Sequence, residues 1–237
     1  MKDTVFARSQ TDGQHQGLKF RPWPRCMRGV IGLALWLAAT GPLNPSFAAG
    51  NAPVKHVLVF GDSLSAGYGM AREDAWPSLL DHHLQDHATT RAWSVVNASI
   101  SGETTHGGLT RLPATLAREH PAVVVLELGG NDALRGLPLD QAQQNLSHMV
   151  QQAKASGARV LLVGIALPPN FGEDYTRDFS AMFAAVARRE HVPLLPNLVE
   201  SLGSGRQDFQ ADGIHPQGRV QDHLLGSVLQ RLEPMLK

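Results

Sequence analysis

Five short apolar runs, each separated from the next by a stretch long enough for a helix, constrain this chain more than any other feature. The runs fall at 56–60, 93–97, 122–128, 159–164 and 192–195. Between and after them lie amphipathic segments at about 75–87, 105–120, 140–156, 175–191 and 217–236, read as helices. Strands alternating with helices favour strand-helix-strand units around a parallel sheet. The third run, AVVVLEL, is nearly unbroken apolar, as a central strand covered on both faces requires. The expectation is an α/β chain with a central five-stranded parallel sheet. No repeat or low-complexity tract follows Ala48, and 237 residues at 43% hydrophobic content can bury a core as one domain. Residues 49–237 are therefore read as one domain.

The segment before it reads differently. Arg25 and Arg28 precede an apolar run through Val30, Ile31, Leu33, Leu35, Trp36 and Leu37, and Pro45-Ser46-Phe47-Ala48 offers small residues for cleavage. Residues 1–48 are read as an amino-terminal extension and secretion signal cut after Ala48. Residues 1–20 are long and polar for a leader, which makes Met27 a candidate start. The run is short for a bilayer and is closed by Asn44 and Pro45, so no stable membrane anchor is expected, and the product is periplasmic or secreted.

Six of the 21 basic and two of the 21 acidic residues lie in 1–48, leaving fifteen against nineteen and a net charge of −4. That balance disfavours nucleic acid as a partner. Cys26, the only cysteine, leaves with the leader, so the exported chain has no disulfide and no thiol nucleophile.

In a parallel sheet of this kind, ligands bind outside the carboxyl ends of the strands. The first strand exits into Gly61-Asp62-Ser63, the second into Asn97-Ala98-Ser99-Ile100-Ser101-Gly102, the third into Gly129-Gly130-Asn131-Asp132. The loop before the last helix holds Asp212-Gly213-Ile214-His215-Pro216. A serine hydroxyl is a weak nucleophile until a base takes its proton and a third group fixes that base. Ser63, His215 and Asp212 are the candidates, with Asp212 three residues ahead of His215 in a glycine-containing turn. An oxyanion formed on attack needs donors, and the backbone amides of Ser63 and Gly102 and the side-chain amide of Asn131 are available at the same rim.

These blocks, GDSLSAGYG, NASISGETT, ELGGNDALRG and DGIHP, resemble the SGNH branch of the GDSL hydrolases in order and approximate spacing. WPSLL, LPPNFGEDYTRDFSAMF and VPLLPNLVE further resemble its periplasmic acyl-CoA thioesterase, lysophospholipase and arylesterase subgroup. The resemblance spans nearly all of the chain after residue 56. It implies a three-layer α/β/α flavodoxin-like fold, no cofactor, and a shallow site for small-molecule esters and thioesters. It assigns Ser63 as nucleophile, His215 as base held by Asp212, and Ser63, Gly102 and Asn131 as oxyanion donors, in agreement with the residue-level reading. The second glycine of Gly-x-Ser-x-Gly is missing from GDSLS, which disfavours the usual α/β-hydrolase elbow.

Leu134, Leu167, Pro168 and Phe171 are expected to face the acyl group and to favour a medium acyl chain or aryl ester. A carbohydrate O-acetylesterase on the same scaffold is the alternative enzyme, and a non-catalytic lipid- or glycan-binding module the alternative outside catalysis. Asp62 is read as structural beneath the serine, and Asp132 as a loop brace. His83 and His87 stand one helical turn apart, but no third ligand and no His-Glu-x-x-His accompany them, so no metal is expected. Gly67-Tyr68-Gly69 is read as a turn. Gly107 and Gly108 are expected to loosen a loop beside the site, with His106 on the surface.

Overall fold

The computed structural model describes residues 54–202 and 205–237. The leader and the cleavage position read at 1–48 lie outside the described residues. Five strands form one parallel sheet: β1 (Lys55–Gly61), β2 (Trp93–Asn97), β3 (Val123–Glu127), β4 (Arg159–Val163) and β5 (Leu194–Leu195). Their order is β2-β1-β3-β4-β5, with Val57 beside Val95 on one side and Val123 on the other. The apolar runs thus become strands, and the unbroken third run is buried at every position of β3. At the edge, β2 is mostly half-buried, and its Val95 N–H is taken by Asp81 Oδ1 at 2.7 Å, so this stretch of edge offers less for another chain to pair with.

Among the described residues, seven α-helices surround the sheet: α1 (Ser63–Ala66), α2 (Trp76–Asp86), α3 (Thr105–Glu119), α4 (Gly130–Leu134), α5 (Leu139–Ala155), α6 (Glu173–Glu190) and α7 (Gln221–Leu232). Helices α3, α5 and α6 pack side by side, while α2 packs on α7. Right-handed crossovers between parallel strands require this division, because the chain steps from β1 to β2 in one direction and then to β3, β4 and β5 in the other. The result is three layers, helix on sheet on helix, around a core that includes Phe60, Trp76, Leu126, Leu146, Phe179 and Phe183. Trp76 N–H, at the start of α2, donates to Gln221 Oε1, at the start of α7, at 3.0 Å, and Trp93 Nε1–H of β2 donates to the Leu236 carbonyl beyond α7 at 3.1 Å.

The five strands and five long helices lie where the hydrophobic pattern put them, with shifted ends. The segment read as one helix over 217–236 is α7 flanked by single turns at Gly218–Val220 and Glu233–Met235. Pro234 explains the later break, since its ring clashes with the preceding turn and it lacks an N–H. The one-turn helices α1 and α4 were not read from the sequence.

Because the connections leave β1 and β3 for opposite faces, a crevice opens between the carboxyl ends of these adjacent strands. Ser63 follows the first of them and Asn131 the second.

Candidate active site

At the exit of β1 the chain passes between buried groups. A Cβ on Gly61 would lie 2.6 Å from Glu127 Oε2 and 2.8 Å from the Glu127 carbonyl, so only glycine fits. Asp62 then caps α1, its Oδ1 accepting from Leu64 N–H at 3.1 Å. Ser63 is the first residue of the helix rather than its cap, which leaves its hydroxyl free of the local bond a capping serine makes. The helix stops after one turn at Gly67, in the left-handed region at φ 77°.

The loop before α7 delivers the partners. Ser63 Oγ and His215 Nε2 are 2.8 Å apart, and His215 Nδ1 and Asp212 Oδ2 are 2.8 Å apart. Asp212 Oδ1 meanwhile accepts from the N–H groups of Ile214 (2.9 Å) and His215 (3.0 Å), wrapping the turn around its own carboxylate. Burial would raise the Asp212 carboxyl, but the bonds from Ile214 and His215 outweigh it and lower it to about 2. An ionised Asp212 accepts only, so the imidazole proton sits on Nδ1 and Nε2 is left to accept from the serine. The loop is held by Gln210 N–H donating to the His215 carbonyl at 2.7 Å and by a bridge between Phe209 and Pro216. The Tyr68 ring lies against the imidazole, centroids 4.4 Å apart.

Donors gather opposite. Ser63, at the first helical position, has no intrahelical acceptor for its N–H. Gly102 sits at φ 81°, a conformation that favours glycine. Its carbonyl accepts from Arg135 Nη2 at 2.8 Å, and no described backbone carbonyl takes its N–H. Asn131, in α4, donates from Nδ2 to Asp62 Oδ2 at 2.9 Å, which fixes the amide plane. The Gly102 loop is pinned by Ser99 Oγ accepting from Gly61 N–H (3.1 Å), Asn97 Nδ2 donating to the Ser65 carbonyl (2.8 Å) and Arg111 Nη1 donating to the Ala98 carbonyl (2.7 Å). Arg111 also pairs with Glu103 and lies over the Phe60 ring at 4.0 Å. Asp132 accepts from Thr105 N–H (2.8 Å) and Oγ1–H (2.6 Å), bracing one strand-exit loop on the other.

Two carboxyls lie beneath this rim. Burial, foremost, pushes Asp62 up to about 6, against the lowering effect of Leu64, Asn131 and His215; Asp132 raises it further. Glu127, fully buried, is pushed well up by burial and by the nearby Asp62 charge, against the bonds from Ser65 and Asp62 N–H.

The cleft above measures about 370 Å³ and takes residues from all four blocks: Ser63, Gly102, Asn131 and His215 line it together. Leu134 also lines it. Leu167, Pro168 and Phe171 do not: Leu167 is in the core, Pro168 is half-buried, and Phe171 packs on Tyr175. From the β4 exit it is Ile165 that turns into the cleft, joined by Leu64, Tyr68 and Ile214. Ile214 stands next to His215 and Tyr68 one short helix after Ser63, so adjacency to the motifs was the available signal.

The loosened loop at Gly107 and Gly108 is also corrected. Both lie in the first turns of α3, and a Cβ on Gly108 would meet Leu128 Cδ1 at 2.5 Å and Met149 Sδ and Phe60 Cε1 at 3.3 Å. Gly108 lets the helix approach the sheet. His106 is exposed. The His83 and His87 rings lie 4.3 Å apart, with His87 Nδ1 bonded to the His83 carbonyl at 2.7 Å and His83 Nε2 3.7 Å from Glu233.

Residues 59–222 match the model of the GDSL-like Lipase/Acylhydrolase family. The chain is 50% identical over 185 residues to the esterase TesA of Pseudomonas aeruginosa, covering 78% of this chain and 91% of that protein. It is 44% identical over 180 residues to the thioesterase 1/protease 1/lysophospholipase L1 of Escherichia coli K12, covering 76% and 84%. A crystal structure of TesA superimposes with a TM-score of 0.74 at 50% identity, covering 76% of this chain and 99% of that one. With the fold, the four blocks and these likenesses in agreement, the chain belongs to the GDSL-like lipase/acylhydrolase family and is a serine hydrolase acting on ester bonds.

Proposed function

We propose that Ser63 is the nucleophile, His215 the general base and Asp212 its orienting carboxylate, acting on esters and thioesters with a medium acyl chain or an aryl group. His215 Nε2 takes the Ser63 proton as Oγ bonds to the acyl carbon. The carbonyl oxygen becomes an oxyanion held by the N–H groups of Ser63 and Gly102 and by Asn131 Nδ2. Collapse expels the alcohol or thiol, which takes the proton from His215 and leaves an acyl-serine. Water, deprotonated by the same imidazole, attacks that ester, and the carboxylic acid leaves as the proton returns to Ser63 Oγ.

The observation that carries this reading is the pair of 2.8 Å contacts running from Ser63 through His215 to Asp212. The apolar walls of the cleft, Leu134, Ile165 and Ile214 among them, support an acyl or aryl group over a sugar acetate. The names of the two relatives, an esterase and a thioesterase/lysophospholipase, point the same way. Export with loss of residues 1–48, leaving a single domain in the periplasm or outside the cell, rests on the basic-apolar-small pattern of 25–48; no described helix is long and apolar enough to cross a membrane.

The test is a panel of p-nitrophenyl esters graded by chain length, with matching acyl thioesters, run on protein beginning at Ala49, together with fluorophosphonate labelling. Labelling at Ser63, its loss in Ser63→Ala and an optimum beyond acetate are expected. Folded protein that resists the probe would sink the nucleophile assignment, and activity on acetate alone would transfer the substrate to carbohydrate acetates.

A further inference from the structure

Glu127 ends β3 in the middle of the sheet, fully buried, behind four apolar residues of the same strand. A carboxyl in such a place is costly unless its oxygens find donors. Its Oε2 accepts from Asp62 N–H at 3.3 Å and from Ser65 Oγ–H at 2.7 Å. Its Oε1 is buried with no partner among the described residues. The donors come from the residue before Ser63 and from the second residue after it, so one oxygen grips the chain on both sides of the serine. Gly61 provides the space, since a Cβ there would press on that same oxygen.

The turn needs such a grip. Helix α1 has four residues, far fewer than an isolated helix requires to hold its own shape, so its direction comes from what it is bonded to. The Asp62 side chain secures one side of the turn through Leu64 and Asn131. Glu127 secures the sheet side.

Resting on the reading of Ser63 as nucleophile, we propose that Glu127 is a positioning residue: its Oε2 fixes the β1–α1 turn so that Ser63 Oγ stays within hydrogen-bond reach of His215 Nε2. It touches no substrate, so its removal acts on the chemical step and not on binding.

Glu127→Ala, Glu127→Gln, Ser65→Ala and Ser63→Ala test this, with kcat and KM on one p-nitrophenyl ester, the rate of fluorophosphonate labelling and the melting temperature measured for each. Glu127→Ala is expected to lower kcat about ten- to a hundredfold, the scale set by misplacing a reacting atom, with KM within about twofold and labelling slowed by the same factor. Glu127→Gln, which keeps an acceptor oxygen, is expected to recover most of the loss. Unchanged kcat and labelling in Glu127→Ala, whatever its melting temperature, would overturn the proposal, as would a glutamine variant as slow as the alanine one. If Glu127→Ala does not fold, Ser65→Ala decides: a severalfold fall in kcat at constant KM supports the grip, and wild-type kcat refutes it. Turnover surviving in Ser63→Ala would remove the nucleophile assignment itself, whereas an inert Ser63→Ala beside a fully active Glu127→Ala removes only the positioning role.

Discussion

Asn131 has two amide hydrogens and the protein uses one of them, on Asp62 Oδ2. That bond sets the plane in which the second hydrogen lies, so on the proposed role of Asn131 as an oxyanion donor, Asp62 acts on that site through it. Losing one oxyanion donor costs on the order of a hundred- to a thousandfold in kcat. Asn131→Ala is expected to show a fall of that size with KM changed only a few fold, because the donor acts when charge has developed on the oxygen. Steady-state kinetics on one ester decide it; near-wild-type kcat would move the donor role elsewhere. Ser63, Gly102, Asn131 and His215 were legible because each is a chemically committed residue at a strand exit or beside a turn glycine. Ile165 was not, since side-chain direction puts it in the cleft and no motif encodes direction. Leu167 shows the converse: apolar, close to the site in sequence, and turned into the core.

At the scale of elements, two glycines of similar sequence appearance have opposite meanings. Gly108 in α3 faces Leu128, Met149 and Phe60, all buried, while nothing lies within 4 Å of a Cβ built on Gly226 in α7. Alanine in an open helical position gains about 0.5–1 kcal/mol over glycine. At Gly108 the same gain is set against overpacking of about 1–3 kcal/mol. Gly226→Ala is therefore expected to raise the unfolding free energy and Gly108→Ala to lower it, read from urea unfolding at equal m-value. Two variants that move the same way would show that α3 can slide off Leu128 at little cost. The long helices and strands were legible because their apolar periods run over many residues. Helices α1 and α4, four and five residues long, are too short to show a period. The apolar period places Gly107 and Gly108 inside the helix over 105–120, and the loosened loop expected there fails because Gly108 faces a packed layer, which the period does not reveal. Pro234 ends α7 although the amphipathic segment runs on to 236.

For the whole molecule, the strand order places the cleft at the crevice between β1 and β3, directly over the buried carboxyls of Asp62 and Glu127. This position couples fold stability to pH. Asp62 rises from 3.8 to about 6 on folding, through burial first, so between these values the folded chain holds a proton that the unfolded chain releases. Glu127 shifts in the same direction for the same reason. Stability from these groups is fully present below the unfolded values and is lost as pH rises through the folded ones. Asp212 works oppositely: lowered from 3.8 to about 2, it stabilises above the unfolded value and that contribution fades as pH falls toward 2. Because the Asp212 side chain is 38% exposed, its share is reduced by screening, and the two buried acids set the slope above pH 4. The melting temperature is therefore expected to rise as pH falls from about 7.5 to about 5, and to drop below about pH 3.5. Glu127→Gln, which has no proton to gain, flattens the upper part of that curve while leaving the acid limb in place. Calorimetry across this range checks both; a wild-type melting temperature that only falls from pH 7.5 downward would mean that both acids stay ionised under the site.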